Sequence, residues 1–258
     1  MTVALITGAS GGIGGAYADR LARRGHGFIL VGRNQARLEH RAEACRAAGA
    51  AVEILVADLT APDDVRRVEQ RLRDDPAIGM LVNAAGIATL DKLAGGDPAT
   101  IAAMIQTNVL ALARLAAAAA AAFAGRGGGT IINLSAVLAL APEIANGAYA
   151  GSKAFVLALS QSLAREMGPS GVRVQAVLPG MTRTGIWLHA GRDPATLPAS
   201  KTMEPGDLVD AALAGLDVGE TVTIPTLPDP ADWQALEAAR HRLRPHLSNR
   251  AAAPRYRT

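Results

Sequence analysis

Val3-Ala4-Leu5-Ile6-Thr7-Gly8-Ala9-Ser10-Gly11-Gly12-Ile13-Gly14 opens the chain almost at its first residue. An apolar run of strand length passes without a break into a glycine-rich turn, and a helical pattern follows from Ile13. Glycines at such a turn let the backbone double back and come close to a pyrophosphate. The free amides and positive dipole end of the following helix attract the anion's charge. Gly8, Ser10, Gly11, Gly12, Ile13 and Gly14 are therefore the candidate phosphate-binding residues. Any tight strand-to-helix turn uses glycine, but a position directly after the first strand is the context that the motif requires.

Working outward, short apolar runs alternate with helical patterns. Val3–Thr7, Gly27–Val31, Ala51–Ala57, Met80–Asn83, Thr130–Ser135 and Val172–Leu178 read as strands. Helical stretches lie near 13–24, 35–48, 61–75, 98–124 and 148–168. Strands alternating with helices argue for repeated βαβ units, an α/β class and a doubly wound, Rossmann-like parallel sheet with helices on both faces. With no long linker or internal repeat, residues 1–258 are expected to form a single domain. After Pro179-Gly180 the alternation loosens into a stretch bearing Trp187, His189, Gly191, Pro194 and Pro198, and residues 185–204 are expected to be a substrate lid. A helix near 205–217, a strand over Thr221–Ile224 and a helix near 230–243 follow, the last within a C-terminal tail of about 230–258.

Half of the 258 residues are apolar, enough for a sizeable core. The single cysteine, Cys45, cannot form an internal disulfide, so a reducing cytoplasm is the expected location. The first residues lack the basic and apolar regions of a signal peptide. No uncharged apolar run reaches the roughly 18 residues of a membrane span, and Ala116–Ala122 reads as a strong helix former. Net charge is +3. The only basic concentration is C-terminal (Arg240, His241, Arg242, Arg244, His246, Arg250, Arg255, Arg257), without a nucleic-acid module, and it reads as a solvated tail or an intersubunit contact. The histidines His26, His40, His189, His241 and His246 are scattered, so no metal site is expected. Ser135 lies in no Gly-x-Ser-x-Gly elbow, which argues against a hydrolase.

Tyr149 and Lys153 stand four residues apart in a chain with three tyrosines and only three lysines, Lys92, Lys153 and Lys201. By chance such a spacing is expected only ~0.03 times. On a helix over 148–167 the two share a face. An ammonium about 4 Å from the phenol would contribute roughly 4 kcal/mol at an effective dielectric of about 20, lowering the phenol's pKa by about three units. That pair is a candidate for proton transfer near neutrality. The bland alternative is a surface helix with an aromatic-cation neighbour.

Gly8-x-x-x-Gly12-x-Gly14, Asn83-Ala84-Ala85-Gly86, Asn108, Ser135, Tyr149-x-x-x-Lys153 and Pro179-Gly180 occur in the order and approximate spacing of the short-chain dehydrogenase/reductase superfamily. The chain resembles its single-domain branch of about 250 residues, with specific motifs over roughly 1–185. The resemblance implies an oxidoreductase in which Tyr149 is the general acid-base. It implies that Lys153 depresses the tyrosine pKa and bonds the nicotinamide ribose, that Ser135 bonds the substrate oxygen, and that Asn108 holds a water linking Lys153 to solvent. Asp58 and Leu59 would flank the adenine, and Asn83, Ala84, Ala85 and Gly86 would support the adenosine side. Pro179 and Gly180 border the cofactor, with Thr184, or in competition Thr182, near its carboxamide and phosphates.

Cofactor choice turns on Gly32-Arg33-Asn34 at the end of the second strand. Gly32 occupies the usual acidic position and Arg33 can pair with a 2′-phosphate, so NADP(H) is favoured over NAD(H). Many NADP-preferring relatives carry a second basic residue where this chain has Gly11. Substrate walls are expected from 137–146, 87–93 and 185–204. Val137, Leu138, Leu140, Ile186, Trp187 and Leu188 are their apolar part, and Glu143, Asn146, His189 and Arg192 their specificity groups. A small carbonyl or alcohol substrate follows, with no nucleic acid or membrane partner. Family analogy implies a homotetramer or dimer through helices 98–124 and 148–168. The competing reading is a non-catalytic cofactor-binding regulator or scaffold on the same fold.

Overall fold

Ala4 and Ile6 of the first strand pack with one set of helices and Leu5 with another. A strand covered on both faces is a continuous apolar run rather than an alternation, which accounts for the opening sequence. The computed structural model describes residues 2–89, 91–144 and 147–257, with the side chain of His189 excepted.

Along the chain come β1 (Val3–Thr7), α1 (Gly12–Arg23), β2 (Gly27–Gly32), α2 (Gln35–Ala47), β3 (Val52–Val56), α3 (Pro62–Asp74) and β4 (Ile78–Asn83). Then come α4 (Pro98–Ile105), a π-helical turn (Gln106–Ala111), α5 (Leu112–Gly125), β5 (Gly129–Leu134), α6 (Gly147–Met167) and β6 (Val172–Val177). The series ends with α7 (Ile186–His189), α8 (Pro205–Asp217), β7 (Val222–Thr223) and α9 (Pro230–Arg242). The chain falls into two compact units, Met1–Pro225 and Thr226–Thr258. The second holds α9, capped by the Asp229 carboxylate on Ala231 N–H, and none of α9's residues is buried.

The first unit is a seven-stranded sheet of order β3-β2-β1-β4-β5-β6-β7, with every pairing parallel. On one face α1, α2 and α8 bury Tyr17, Leu21, Leu38, Leu208 and Leu213 against Ile6, Leu30, Val82 and Val177. On the other, α3 and α5 bury Val65, Val68, Leu115 and Phe123 against Leu5, Ile29, Leu81 and Ile131, and α6 adds Leu163 and Met167. The alanines of α5 are small enough to bring its axis close to the sheet. Glu69 of α3, almost wholly buried, receives both Nε and Nη2 of Arg114 at 2.6 and 2.8 Å. That arginine holds the Glu69 carboxyl below its usual range. By length and mean hydropathy Pro98–Gly125 could cross a membrane, yet half of its most apolar window is buried within this protein.

Two expected elements differ. The helix expected over 98–124 runs on but widens into the π turn at Gln106–Ala111, which shifts the side chains after it by a residue and places Asn108 inward. The strand expected over Thr221–Ile224 has only two residues, Val222 and Thr223, the two that pair with Ala176 and Val177 of β6 at the edge of the sheet. Ser135 lies one residue beyond β5, although its N–H still donates to Val177 O at 2.8 Å.

Candidate active site

Thr7, the last residue of β1, ties the first turn to the next strand of the sheet. Its hydroxyl oxygen accepts from the N–H groups of Ala84 and Ala85, both at 3.1 Å. Gly8 follows at φ 68°, a left-handed conformation that glycine adopts without a Cβ penalty. A Cβ there would lie 2.9 Å from the Ala85 backbone, and one on Gly14 would lie 2.5 Å from the Gly8 carbonyl oxygen. Helix α1 can therefore start this close to β1 only with glycine at 14. Gly12 faces the Thr184 side chain, 3.3 Å from where its own Cβ would be. The turn thus gathers Gly8, Gly12, Gly14, Ala84, Ala85 and Thr184. Ile13 leans on the core, and Ser10 and Gly11 border an open cleft of about 410 Å³.

The second cluster forms where β5 meets α6. Lys153 Nζ donates to the Leu134 carbonyl at 2.8 Å and lies 5.7 Å from the centroid of the Tyr149 ring. Ser135 Oγ donates to the Lys153 carbonyl at 2.7 Å. Asn108 Nδ2 donates to Ile87 O (2.8 Å) and to Ser152 Oγ (3.3 Å), and Ser152 Oγ donates to Tyr149 O (2.7 Å). Asn108 Oδ1 accepts from Ile87 N–H at 2.8 Å. Gly86 is the floor between them: a Cβ on it would sit 3.4 Å from Asn108 Oδ1 and 3.7 Å from Lys153 Nζ. Four residues spread over 46 positions of sequence are thereby brought together at the carboxyl ends of β4 and β5, where open parallel sheets place their ligands.

Electrostatics at this cluster correct an expectation. Tyr149 is half-buried, and burial pushes its phenol up to about 12 rather than down. Burial also lowers Lys153 to about 8. The ammonium is bonded to Leu134 O and stands off the ring, so the loss of water outweighs its attraction for a phenolate. At neutral pH the phenol is protonated, the form that can give a proton to a carbonyl oxygen.

Other candidates occupy varied settings. Asn83 is buried and donates Nδ2 to Asn133 Oδ1 at 3.0 Å. Asn133 continues to Ser160 Oγ at 3.0 Å, a polar chain linking β4, β5 and α6. Asn34 caps α2 by accepting from Arg37 N–H at 2.9 Å. Arg33 is exposed, with no hydrogen bond or ion pair among the described residues. Asp58 Oδ1 accepts from the Thr60 N–H and hydroxyl at 2.9 and 2.8 Å, and Leu59 is buried in the core. Pro179 O accepts from Val137 N–H at 3.0 Å. Thr182 is buried and donates to Gly180 O at 3.1 Å, whereas Thr184 is the threonine beside Gly12.

Val137 and Leu138 lie half-buried in a short turn, Val137–Ala139, and Glu143 is exposed in another, Pro142–Ile144. Both turns pack against α6. Trp187 donates its indole N–H to Thr182 O at 2.7 Å. Asn146 and the His189 side chain lie outside the described residues. The loop bearing Trp187 is closed at its base by a parallel bridge between Thr182 and Met203 and by Arg183, which bonds Glu204 Oε1 at 2.6 Å and Pro194 O at 2.8 Å. Among the described residues no three His, Cys, Asp or Glu side chains form a metal-holding group.

Sequence reasoning missed Thr7 and Ser152, whose hydroxyls join pieces of the two clusters. It also missed Arg37, His40 and Arg41, which line the cleft beside Ser10 and Gly11. The four-residue spacing of Arg33, just before the α2 cap, with Arg37 and Arg41 on α2 was the available signal.

The model of the short chain dehydrogenase family matches residues 2–194. A short-chain dehydrogenase from Sphingobium yanoikuyae, solved in complex with NADPH, is 49% identical with all of each chain covered and a TM-score of 0.96. The bulky-bulky ketone specific alcohol dehydrogenase from Comamonas testosteroni is 42% identical, covering 100% of this chain and 99% of its own, with a TM-score of 0.92. An A-factor type gamma-butyrolactone 1'-reductase from Streptomyces virginiae is 34% identical over 81% of this chain and 86% of its own length.

Proposed function

The chain belongs to the short-chain dehydrogenase family, and from that premise we propose that it is an NADP(H)-dependent oxidoreductase interconverting a bulky ketone and its secondary alcohol, with Tyr149 as the acid-base. The observation that carries this reading is the convergence of Ser135, Tyr149, Lys153 and Asn108 over Gly86.

The glycine-rich turn suits a dinucleotide: glycine at 8 and 14 lets α1 start hard against β1, and α1 has no side-chain cap, so its first amides and positive dipole end remain for a pyrophosphate. Gly8 to Gly14 would hold the pyrophosphate, Asp58 and Ala84–Gly86 the adenosine side, Lys153 the nicotinamide ribose and Thr184 the region between. Arg33, exposed and without a carboxylate partner, supports the choice of NADP(H). When bound, the nicotinamide supplies or accepts hydride at the substrate carbon. Tyr149, protonated at neutral pH, gives its proton to the oxygen of the ketone as an alcohol forms, and takes it back in the reverse direction. Ser135 Oγ stabilises the charge developing on that oxygen by turning its hydrogen from Lys153 O to the substrate. Lys153, held by Leu134 O, supplies positive charge beside the phenol, and Asn108 keeps the 84–87 loop and α6 in register through Ile87 and Ser152.

Exposed apolar side chains on the loops after β4, β5 and β6, namely Leu93, Leu140, Ile144 and Leu188, suit a substrate with large apolar groups on both sides of the carbonyl. The ketone specificity named for the Comamonas testosteroni relative supports the same class. A single catalytic domain and a homodimer or homotetramer belong to this reading; exposed Ile105, Leu110 and Phe155 on the α4–α5 and α6 helices support the pairing surface.

The test is NADPH oxidation with a panel of bulky ketones, comparing wild type with Tyr149→Phe. Loss of turnover with NADPH binding retained is expected. Undiminished turnover in the variant removes Tyr149 from proton transfer, and a wild type that binds NADPH but turns over no carbonyl or alcohol favours the regulator reading.

A further inference from the structure

The cleft of about 410 Å³ beside the first turn is lined by Ser10 and Gly11 on one side and by Ala36, Arg37, His40 and Arg41 of α2 on the other. The Arg37 guanidinium reaches back over the turn, and a Cβ built on Gly11 would lie 2.8 Å from its Nη2. Gly11 has φ 167°, extended backbone open to any residue. What glycine contributes there is room, and the guanidinium fills it.

The arginines on this side of the molecule divide by partner. Arg41 is bound to Asp19 at 2.6 and 2.7 Å, Arg20 is bidentate to Asp210, and Arg24 is bidentate to Asp217. Arg33 and Arg37 have no acidic partner among the described residues. One immediately precedes the α2 cap, Asn34, and the other stands in the first turn of α2. Two guanidiniums left without carboxylates, beside a turn shaped for a pyrophosphate, match a phosphate monoester, which arginine binds through paired N–H donors.

We propose that Arg37 is a specificity-determining residue for the cofactor, placing a second guanidinium over Gly11 so that Arg33 and Arg37 together clasp the 2′-phosphate of NADP(H). Arg41, already neutralised by Asp19, holds the wall of the cleft. This assignment rests on the NADP(H) reading above.

The experiment is a set of dissociation constants, by calorimetric titration, for NADPH, NADH and adenosine 2′,5′-bisphosphate. The proteins are wild type, Arg33→Ala, Arg37→Ala and the double variant Gly11→Arg with Arg37→Ala. Arg37→Ala is expected to weaken NADPH and the bisphosphate about 10- to 100-fold while leaving NADH within about twofold, as loss of a charge-assisted bond requires. Gly11→Arg in that background should recover most of the loss, because the new side chain starts at the place the Arg37 guanidinium leaves and carries its own guanidinium into the same cleft. An Arg37→Ala protein whose NADPH to NADH ratio equals that of an NADPH-preferring wild type overturns the role of Arg37 and leaves the NADP(H) reading standing. A wild type that binds NADH as tightly as NADPH removes that reading and this assignment with it.

Discussion

The Ser135 hydroxyl donates to the main-chain carbonyl of Lys153 at 2.7 Å, so the end of β5 grips the very residue whose ammonium returns to Leu134 O. These two bonds, crossing between a strand end and a helix, hold Tyr149 and Lys153 at a fixed distance from the sheet. Ser135→Ala removes one of them together with the donor proposed for the substrate oxygen. Turnover is expected to fall about 10²- to 10³-fold, whereas stability falls by only about 1 kcal/mol. Steady-state kinetics beside a denaturant melt would show the split.

Lys153 is buried, and its pKa falls from 10.5 in the unfolded chain to about 8. Between these values the unfolded chain holds a proton that the folded chain has released, so stability rises with pH through that window; below about pH 8 the buried charge costs stability in full. Lys153→Met is expected to abolish turnover and yet to raise the unfolding free energy at pH 7 by about 2 kcal/mol, after allowance for the lost bond to Leu134 O. That gain should shrink above pH 10. Urea titrations at the two pH values test it, and a variant less stable than wild type at pH 7 would contradict the burial argument.

Gly14→Ala puts a methyl group 2.5 Å from the Gly8 carbonyl oxygen, a backbone atom with little freedom to move. Overpacking of this kind costs about 1 to 3 kcal/mol. The expected result is a lowered melting temperature and weaker binding of NADPH and NADH alike, since the whole first turn shifts. Loss confined to NADPH would point to the 2′-phosphate side instead.

Arg183 joins the two ends of the loop over 184–202 through Glu204 and Pro194 O. Both side chains of the pair are partly exposed, so Arg183→Ala should cost less than about 1 kcal/mol in stability. The loop should nevertheless be cut faster by trypsin or chymotrypsin, and KM for a bulky ketone should rise several-fold more than kcat falls. Equal sensitivity to protease in variant and wild type would deny Arg183 its role as a clip.

Much of the fold is written locally. The apolar runs over 3–6 of β1 and 28–31 of β2 are continuous because helices cover both faces of each, and that burial leaves its mark on every residue of the run. Positions where a Cβ cannot fit, Gly8 and Gly14, are equally visible, as is the four-residue spacing that puts Tyr149 and Lys153 on one face of α6. Motif spacing favours Thr184 with Thr182 in competition, and that Thr184 lies beside Gly12 was not legible, because nothing local says which of two threonines in a loop turns toward a distant turn.

The sequence by itself determined the strand and helix alternation, the glycine-rich first turn and the Tyr149–Lys153 pairing, since each depends on neighbours within a few residues. Tertiary structure alone decided the π turn that buries Asn108, the meeting of Ser135 with Lys153, and the reach of Arg37 over Gly11. It also reversed the expected shift of the Tyr149 phenol. A pKa depends on how much water the surrounding elements exclude, and that quantity exists only once β5, α6 and the loop at Gly86 have packed together.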